Sequence, residues 1–302
     1  MITVLGSINM DLIASVSRLP NPGETVTGDN FVTAPGGKGA NQALAARRAG
    51  GTVHMVGACG EDEFAVPALT YLRFDGVNLD RVRSASTATG VALIFVGADG
   101  ENVIAIVAGA NGTVTAADAK AAVADMKRGD TLMVQMEIPS PAIEAGLVAA
   151  REKGVTSIAN IAPITADAPR LAQLADIVIA NETEFELFCG KTDLSPEARE
   201  AEMMRVNAES RQTIIVTLGA DGVVAVRDGK LHKAKGLAID PVDTVGAGDT
   251  FCGYLAAGLD QGLKFEVALR RAAVAGSLAC LKPGAQPSIP LQADVERQLA
   301  AT

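Results

Sequence analysis

The chain has 302 residues, 48% apolar and 20% charged, enough for about two domains of ~150 residues or one large one, and far from a disordered composition. Its 35 Asp and Glu outnumber its 26 Lys and Arg, giving a net charge of −9, which argues against nucleic acid and anionic membranes as partners. Eight Phe, two Tyr and no Trp leave few platforms for stacking bases.

The opening run Met1-Ile2-Thr3-Val4-Leu5-Gly6 has no basic leader, and Asp11 interrupts any apolar signal core. No 18 apolar residues run together, so no membrane helix is expected and the protein is expected to be cytoplasmic. Cys59, Cys189, Cys252 and Cys280 are far apart and form no CxxC pair, which fits free thiols better than zinc or disulfides.

Apolar, β-branched runs predict strands at Ile2–Gly6, Thr52–Gly57, Thr131–Gln135, Thr156–Ala159, Ile177–Ala180 and Thr213–Leu218. Between them, helical patterns cover Gly39–Ala49, Phe64–Asp75, Ala116–Lys127, Pro141–Lys153 and Glu197–Ser210. This alternation predicts an α/β fold with a doubly wound, mostly parallel sheet covered on both faces. Asp11–Ser17, Glu24–Thr33, Gly90–Val96 and Asn102–Val107 instead alternate polar and apolar residues, as antiparallel strands with one wet face do. They predict a small β lid, drawn from about residues 11–35 and 90–107 of a single domain, that packs on the body, on ligand or on a second subunit. A hairpin around Asp228-Gly229 and two long helices, Ala247–Gln261 and Phe265–Leu281, follow.

Four segments carry candidate chemistry. In Asp243-Thr244-Val245-Gly246-Ala247-Gly248-Asp249-Thr250, small residues open a helix whose exposed N–H groups suit anionic oxygens, with Asp249 in the first turn. Pro35-Gly36-Gly37-Lys38-Gly39-Ala40-Asn41-Gln42 lets backbone approach a ligand and puts Lys38 and Asn41 on one helix face, but it lacks the Ser or Thr of a Walker A loop. Asn9 and Asp11, two apart at a strand end, offer an amide and a carboxylate to vicinal hydroxyls. Glu137 and the run Asn181-Glu182-Thr183-Glu184 follow strands at the end where open α/β sheets bind ligands. Each has a plainer explanation when taken alone: Asp249, Glu137 or Asn181 as a helix cap, the glycine run as a turn, Asn9 as an Asx turn.

Together these segments resemble the pfkB-type carbohydrate kinases, most closely the ribokinase branch. Gly36-Gly37-Lys38-Gly39-Ala40-Asn41 resembles the first family signature and Asp243–Phe251 the second. Gly6-Ser7-Ile8-Asn9-Met10-Asp11, Pro22-Gly23-Glu24-Thr25, Gly109-Ala110-Asn111 and Gly284-Ala285-Gln286-Pro287-Ser288 extend the likeness over nearly the whole chain. The resemblance implies ATP-dependent phosphorylation of D-ribose at its 5-hydroxyl, with a 2-deoxyribokinase or another sugar or nucleoside kinase as alternative and a non-catalytic sugar-binding protein a distant third. It implies Asp249 as the base and the N–H groups of Gly246, Ala247 and Gly248 as the anion hole. It places the sugar on Asn9, Asp11, Gly37, Lys38, Asn41, Glu137 and Asp249. For ATP it implies Thr217, Leu218, Gly219, Ala220, Asp221, Gly222, Asn181 and Gly248, with Asn181 and Glu184 organising Mg²⁺ through water. It adds K⁺ held around Asp243, Val245, Ala279, Lys282, Gly284 and Ser288, and a homodimer formed through the lid.

Two positions depart from the pattern. Ala273 stands where many members have Asn near the adenine, and Met10 is bulkier than the usual Ala, which would favour a sugar lacking its 2-hydroxyl.

Overall fold

The computed structural model describes residues 1–301. Its first part runs β1 (Ile2–Leu5), β2 (Asn9–Val16), β3 (Gly28–Gly36), α1 (Lys38–Arg48), β4 (Val53–Cys59), α2 (Ala65–Ala68), α3 (Thr70–Phe74), β5 (Asn78–Ser84), β6 (Gly90–Gly97) and β7 (Asn102–Val107). The middle runs α4 (Ala116–Ala124), β8 (Thr131–Val134), α5 (Ser140–Lys153), β9 (Thr156–Asn160), α6 (Ala168–Ala172), β10 (Ile177–Asn181), α7 (Glu182–Cys189), α8 (Pro196–Ser210) and β11 (Thr213–Thr217). The chain ends with β12 (Val223–Arg227), β13 (Lys230–Ala234), α9 (Ala247–Asp260), α10 (Phe265–Ala279), α11 (Ala285–Ser288) and α12 (Gln292–Ala301).

Nine strands form the body sheet in the order β13-β12-β11-β10-β9-β8-β1-β4-β5, parallel from β11 to β5, with β12 and β13 added antiparallel. The strand period of two divides the core into two layers. Ile2, Val4, Ile158 and Ile215 point to the face covered by α1, α9 and α10. Leu5, Ala159, Ile214 and Val216 point to the face covered by α4, α5 and residues such as Phe185 and Met203. That is the expected doubly wound sheet. Local signals mark the helix ends: α8 starts with Ser195 capping Ala198 and Pro196 at its first position, and α5 ends at left-handed Gly154. Asp228 and Gly229, both at positive φ, turn β12 into β13 as expected. No helix of the described residues is long and apolar enough to cross a membrane.

The second sheet has the order β3-β2-β6-β7. It confirms four lid strands but corrects their pairing: β2 and β6 run parallel, and only the outer pairs are antiparallel. Its third strand starts later than expected, at Gly28, because Glu24 is folded back onto Arg18 and Asn21 in a turn. The expected helix Phe64–Asp75 is two short ones, broken at Leu69 after Pro67. Edge strand β5, with the sequence Asn-Leu-Asp-Arg-Val-Arg-Ser, was not expected, since its polar residues hide the pattern. Helices α6, α7, α11 and α12 also go beyond the sequence reading.

Candidate active site

A cavity of about 210 Å³ opens at the carboxyl ends of β9, β10 and β11, lined by Lys38, Asn160, Asn181, Glu184, Thr217, Thr244, Gly246, Gly248, Asp249 and Cys252 among others. It brings together residues as far apart in the chain as Lys38 and Cys252. A larger cavity, about 360 Å³, lies where those strands begin and is lined by Arg151, Asp176, Arg211 and Arg227, but no motif residue reaches it. The candidate site is the smaller one.

Its floor is the start of α9. Gly246 takes a left-handed conformation (φ 77°) in front of the helix, no side chain caps the first turn, and a Cβ on Gly248 would meet only open space. Ala247 N donates to Thr244 O at 3.3 Å, and the partial positive charge of this helix end faces the cavity at Gly246 and Gly248. Asp249 is buried there with both carboxylate oxygens held: Oδ2 accepts from Asn41 Nδ2 at 2.9 Å and Oδ1 from Gln42 Nε2 at 2.9 Å. Gln42 also donates to Asn160 Oδ1 at 3.0 Å and accepts from Gln135 Nε2 at 2.7 Å. Glycines permit this packing, since a Cβ on Gly253 would lie 2.5–2.6 Å from Ala45 and the backbone of Ala46 and Gln42.

Of β2 and the glycine run only Lys38 lines this cavity; Asn9, Asp11, Gly37, Asn41 and Glu137 are not among its lining residues. Gly37 (φ 88°) leads into α1 so close to β2 that a Cβ there would sit 2.7 Å from Asn9 N. Glu137 Oε2 accepts from Ser7 Oγ at 2.5 Å and from Lys38 N at 3.1 Å, so this carboxylate caps α1 from another element. Asn9 is buried, its Oδ1 accepting from Asn111 Nδ2 at 2.7 Å. The buried Asp11 carboxyl is pushed up to about 7, first by desolvation and then by the negative Glu137 and Asp249, with Lys38 opposing. Lys38 is held above its ordinary value, chiefly by Asp249, against its own burial. Burial likewise pushes the Cys252 thiol up.

On the opposite side Asn181 and Glu184 form a reciprocal capping box: Asn181 Oδ1 accepts from Glu184 N, and Glu184 Oε2 from Asn181 N. Both are caps, and both also line the cavity. Thr217 joins them, and Leu218, Gly219, Ala220, Asp221 and Gly222 continue past β11 as a tight 3₁₀ turn. Asp243 ties two loops together, Oδ1 accepting from Val245 N and Oδ2 from Gly284 N. Ala279 and Lys282 bracket Cys280, whose carbonyl accepts from Val242 and Asp243 N–H, and Ser288 Oγ donates to Ala285 O. These loop residues lie beside the start of α9, outside the cavity lining. Met10 does not face the cavity; it is buried in the body core with Ile8 and Ala40. Ala273 is buried on α10.

Gln42, Gln135, Asn160, Asn111 and Ser7 were not singled out from the sequence. Gln42, Asn111 and Ser7 nevertheless stand inside the quoted motifs, where their polarity next to glycine or alanine was the available signal.

The sequence profile of the pfkB family carbohydrate kinases matches residues 1–292. The chain belongs to the pfkB family. Among its relatives, ribokinase of Haemophilus influenzae is 35% identical over 290 residues, covering 96% of this chain and 95% of that protein. Ribokinase of Bacillus subtilis is 35% identical over 300 residues, covering 99% of both. The structure of Arabidopsis thaliana ribokinase complexed with ribose and ATP superposes with a TM-score of 0.86 at 31% identity, over 99% of this chain and 98% of that one. The two-sheet architecture is thus the ribokinase-like fold, and the protein is an ATP-dependent sugar kinase of the pfkB family.

Proposed function

We propose that the protein is a ribokinase that transfers the γ-phosphoryl group of ATP to the 5-hydroxyl of D-ribose. The observation that carries this is Asp249, held in the first turn of an uncapped helix and facing the same cavity as Lys38. Asp249 takes the proton as the sugar's O–H bond breaks, the freed oxygen bonds to phosphorus, and the bond from phosphorus to the ADP oxygen breaks. The N–H groups of Gly246, Ala247 and Gly248 carry the charge that gathers on the moving phosphoryl group. Positioning and charge stabilisation are most of what this transfer needs. Asn9, Asp11, Gly37, Lys38, Asn41 and Glu137 hold the sugar. Asp11 and Asn9 supply an acceptor and an amide to adjacent hydroxyls.

Thr217, Leu218, Gly219, Ala220, Asp221 and Gly222 receive the nucleotide beside Asn181. Among the described residues no three His, Cys, Asp or Glu side chains gather as a metal cage. Asn181 and Glu184 instead face the cavity with oxygen and amide groups, a donor set that suits Mg²⁺ held through water and phosphate. Bound there, Mg²⁺ would supply positive charge to the phosphates. For K⁺, the donors would be the Asp243 carboxylate, the Ser288 hydroxyl and carbonyls of Val245, Ala279, Lys282 and Gly284. Asp243 already draws both loops to one place, which supports the fit. K⁺ would supply fixed positive charge beside the anion hole.

A homodimer through the lid is supported by its exposed apolar residues. Phe31, Phe95 and Val103 fall in one cross-strand row with Ala14 and are 63%, 38% and 53% exposed. A patch of that kind is an ordinary sign of a protein interface.

The reading is tested by ADP release with ribose, 2-deoxyribose, fructose, adenosine and pseudouridine. Ribose is expected to give the highest kcat/KM. Preference for 2-deoxyribose would move the assignment to the alternative, and silence with every acceptor would remove it.

A further inference from the structure

We propose that Gln42 is a positioning residue for phosphoryl transfer, its side-chain amide fixing the orientation in which the Asp249 carboxylate meets the sugar hydroxyl. The inference rests on the reading of Asp249 as the base.

The hydrogen-bond pattern leaves Gln42 only one way to stand. Asn160 Nδ2 donates to Ile179 O at 3.2 Å, so Asn160 turns its oxygen towards Gln42. Asp249 presents a carboxylate oxygen to the same side. Two acceptors on one side require the amide NH₂ there, and Gln42 Oε1 must then face the other way, where Gln135 Nε2 donates to it. Reversing the amide would set oxygen against oxygen at Asn160 and Asp249 and NH₂ against NH₂ at Gln135. Gln42 and Gln135 are fully buried, so water cannot substitute.

The network therefore delivers one N–H to Asp249 Oδ1, while Asn41 delivers another to Oδ2. Neutral amides thus meet both oxygens, and the Lys38 ammonium adds a positive charge nearby. The two amides also fix the plane of the carboxyl group and so decide which lone pairs face the cavity. Charged or titratable groups around Asp249 are Lys38 from α1, Asp11 from β2 and Cys252 on α9 itself. Glu137 and Glu184 act further out, through Lys38. None of these is changed by altering Gln42.

Gln42→Met keeps the length of the side chain and removes both donors. Its kcat should fall ~10²-fold, as misplacement of a reacting group does, with the KM for sugar little changed. With one donor to the carboxylate lost, the acid limb of the kcat–pH profile should move to higher pH. A merely structural role would lower the active fraction and leave that limb in place. Gln135→Met loosens the same amide from behind and should shift the limb in the same direction by less; it decides the matter if Gln42→Met does not fold. A wild-type kcat, or an unmoved acid limb in a folded variant, overturns the proposal. If the wild-type protein phosphorylates no sugar, the parent reading fails instead. The ¹³C carboxyl resonance of Asp249, identified by its loss in Asp249→Asn, then still tests the network. It should titrate at higher pH in Gln42→Met than in wild type, and coincident curves would overturn the inference.

Discussion

Asp249 and Asp11 are neighbouring carboxylates whose surroundings differ in kind. Asp249 has an amide donor on each oxygen, whereas Asp11 lies under Gly36 with desolvation and two negative neighbours acting on it. Asp249→Asn retains size but loses the proton acceptor, and its kcat should fall ~10²–10⁴-fold while sugar binding survives in calorimetry. For Asp11 the sign runs towards instability in base. Its folded value near 7 lies above the ordinary 3.8, so the folded state binds the proton more tightly than the unfolded chain. Stability is therefore lost as pH rises from about 4 to 7, on the order of a few kcal/mol at ~1.4 kcal/mol per unit. Asp11→Asn should raise Tm at pH 8, at ~2–4 °C per kcal/mol, with the gain shrinking towards pH 4. Equal Tm differences at pH 5 and pH 8 would contradict this. Residues of this kind were legible because they stand at strand ends or beside glycines. Gln42 and Asn160 escaped notice because amides give no charge pattern, and their roles depend on elements more than a hundred residues apart.

Helices α1 and α9 form the element pair on which the site depends, one bringing Asn41 and Gln42 and the other Asp249. Their approach is set by Gly253, where an added methyl would meet Ala45 and the backbone at 2.5–2.6 Å. Gly253→Ala should therefore push the helices apart, costing ~1–3 kcal/mol in urea unfolding and lowering kcat, although the substitution improves helix propensity. A more stable variant with full activity would show that the pair gives way freely. The loops joined by Asp243 are a second such pair, and K⁺ should support clearly higher activity than tetramethylammonium at equal ionic strength. Equal rates would take the ion out of the account. Strands β1, β8, β9, β10 and β11 could be read from the sequence because both faces are buried and their runs are apolar. Strand β5 could not, since an edge strand tolerates Asp80, Arg81 and Arg83. The split at Leu69 was equally hidden, because the apolar period continues across it.

For the molecule as a whole, the net charge of −9 coexists with an apolar lid whose edge strand β7 is exposed at every residue. If the proposed lid dimer forms, a double variant, Val103→Lys with Ile104→Lys, puts charge on both faces of that strand and should sediment as monomer in sedimentation velocity. Wild-type protein sedimenting as a monomer would remove the lid contact. The parallel pairing of β2 with β6 has a further consequence, for the order in which the chain folds. Between these two strands the chain must first leave the lid, build α1, lay β4 and β5 into the body, and only then return. No local hairpin can zip that central seam, and about seventy intervening residues must be placed before its first hydrogen bond forms. The two outer hairpins can form early, but the lid's middle is closed by the body and should appear late in refolding. In pulsed hydrogen exchange, amides along β1 and β8 should gain protection first, and those bridging β2 and β6 among the last.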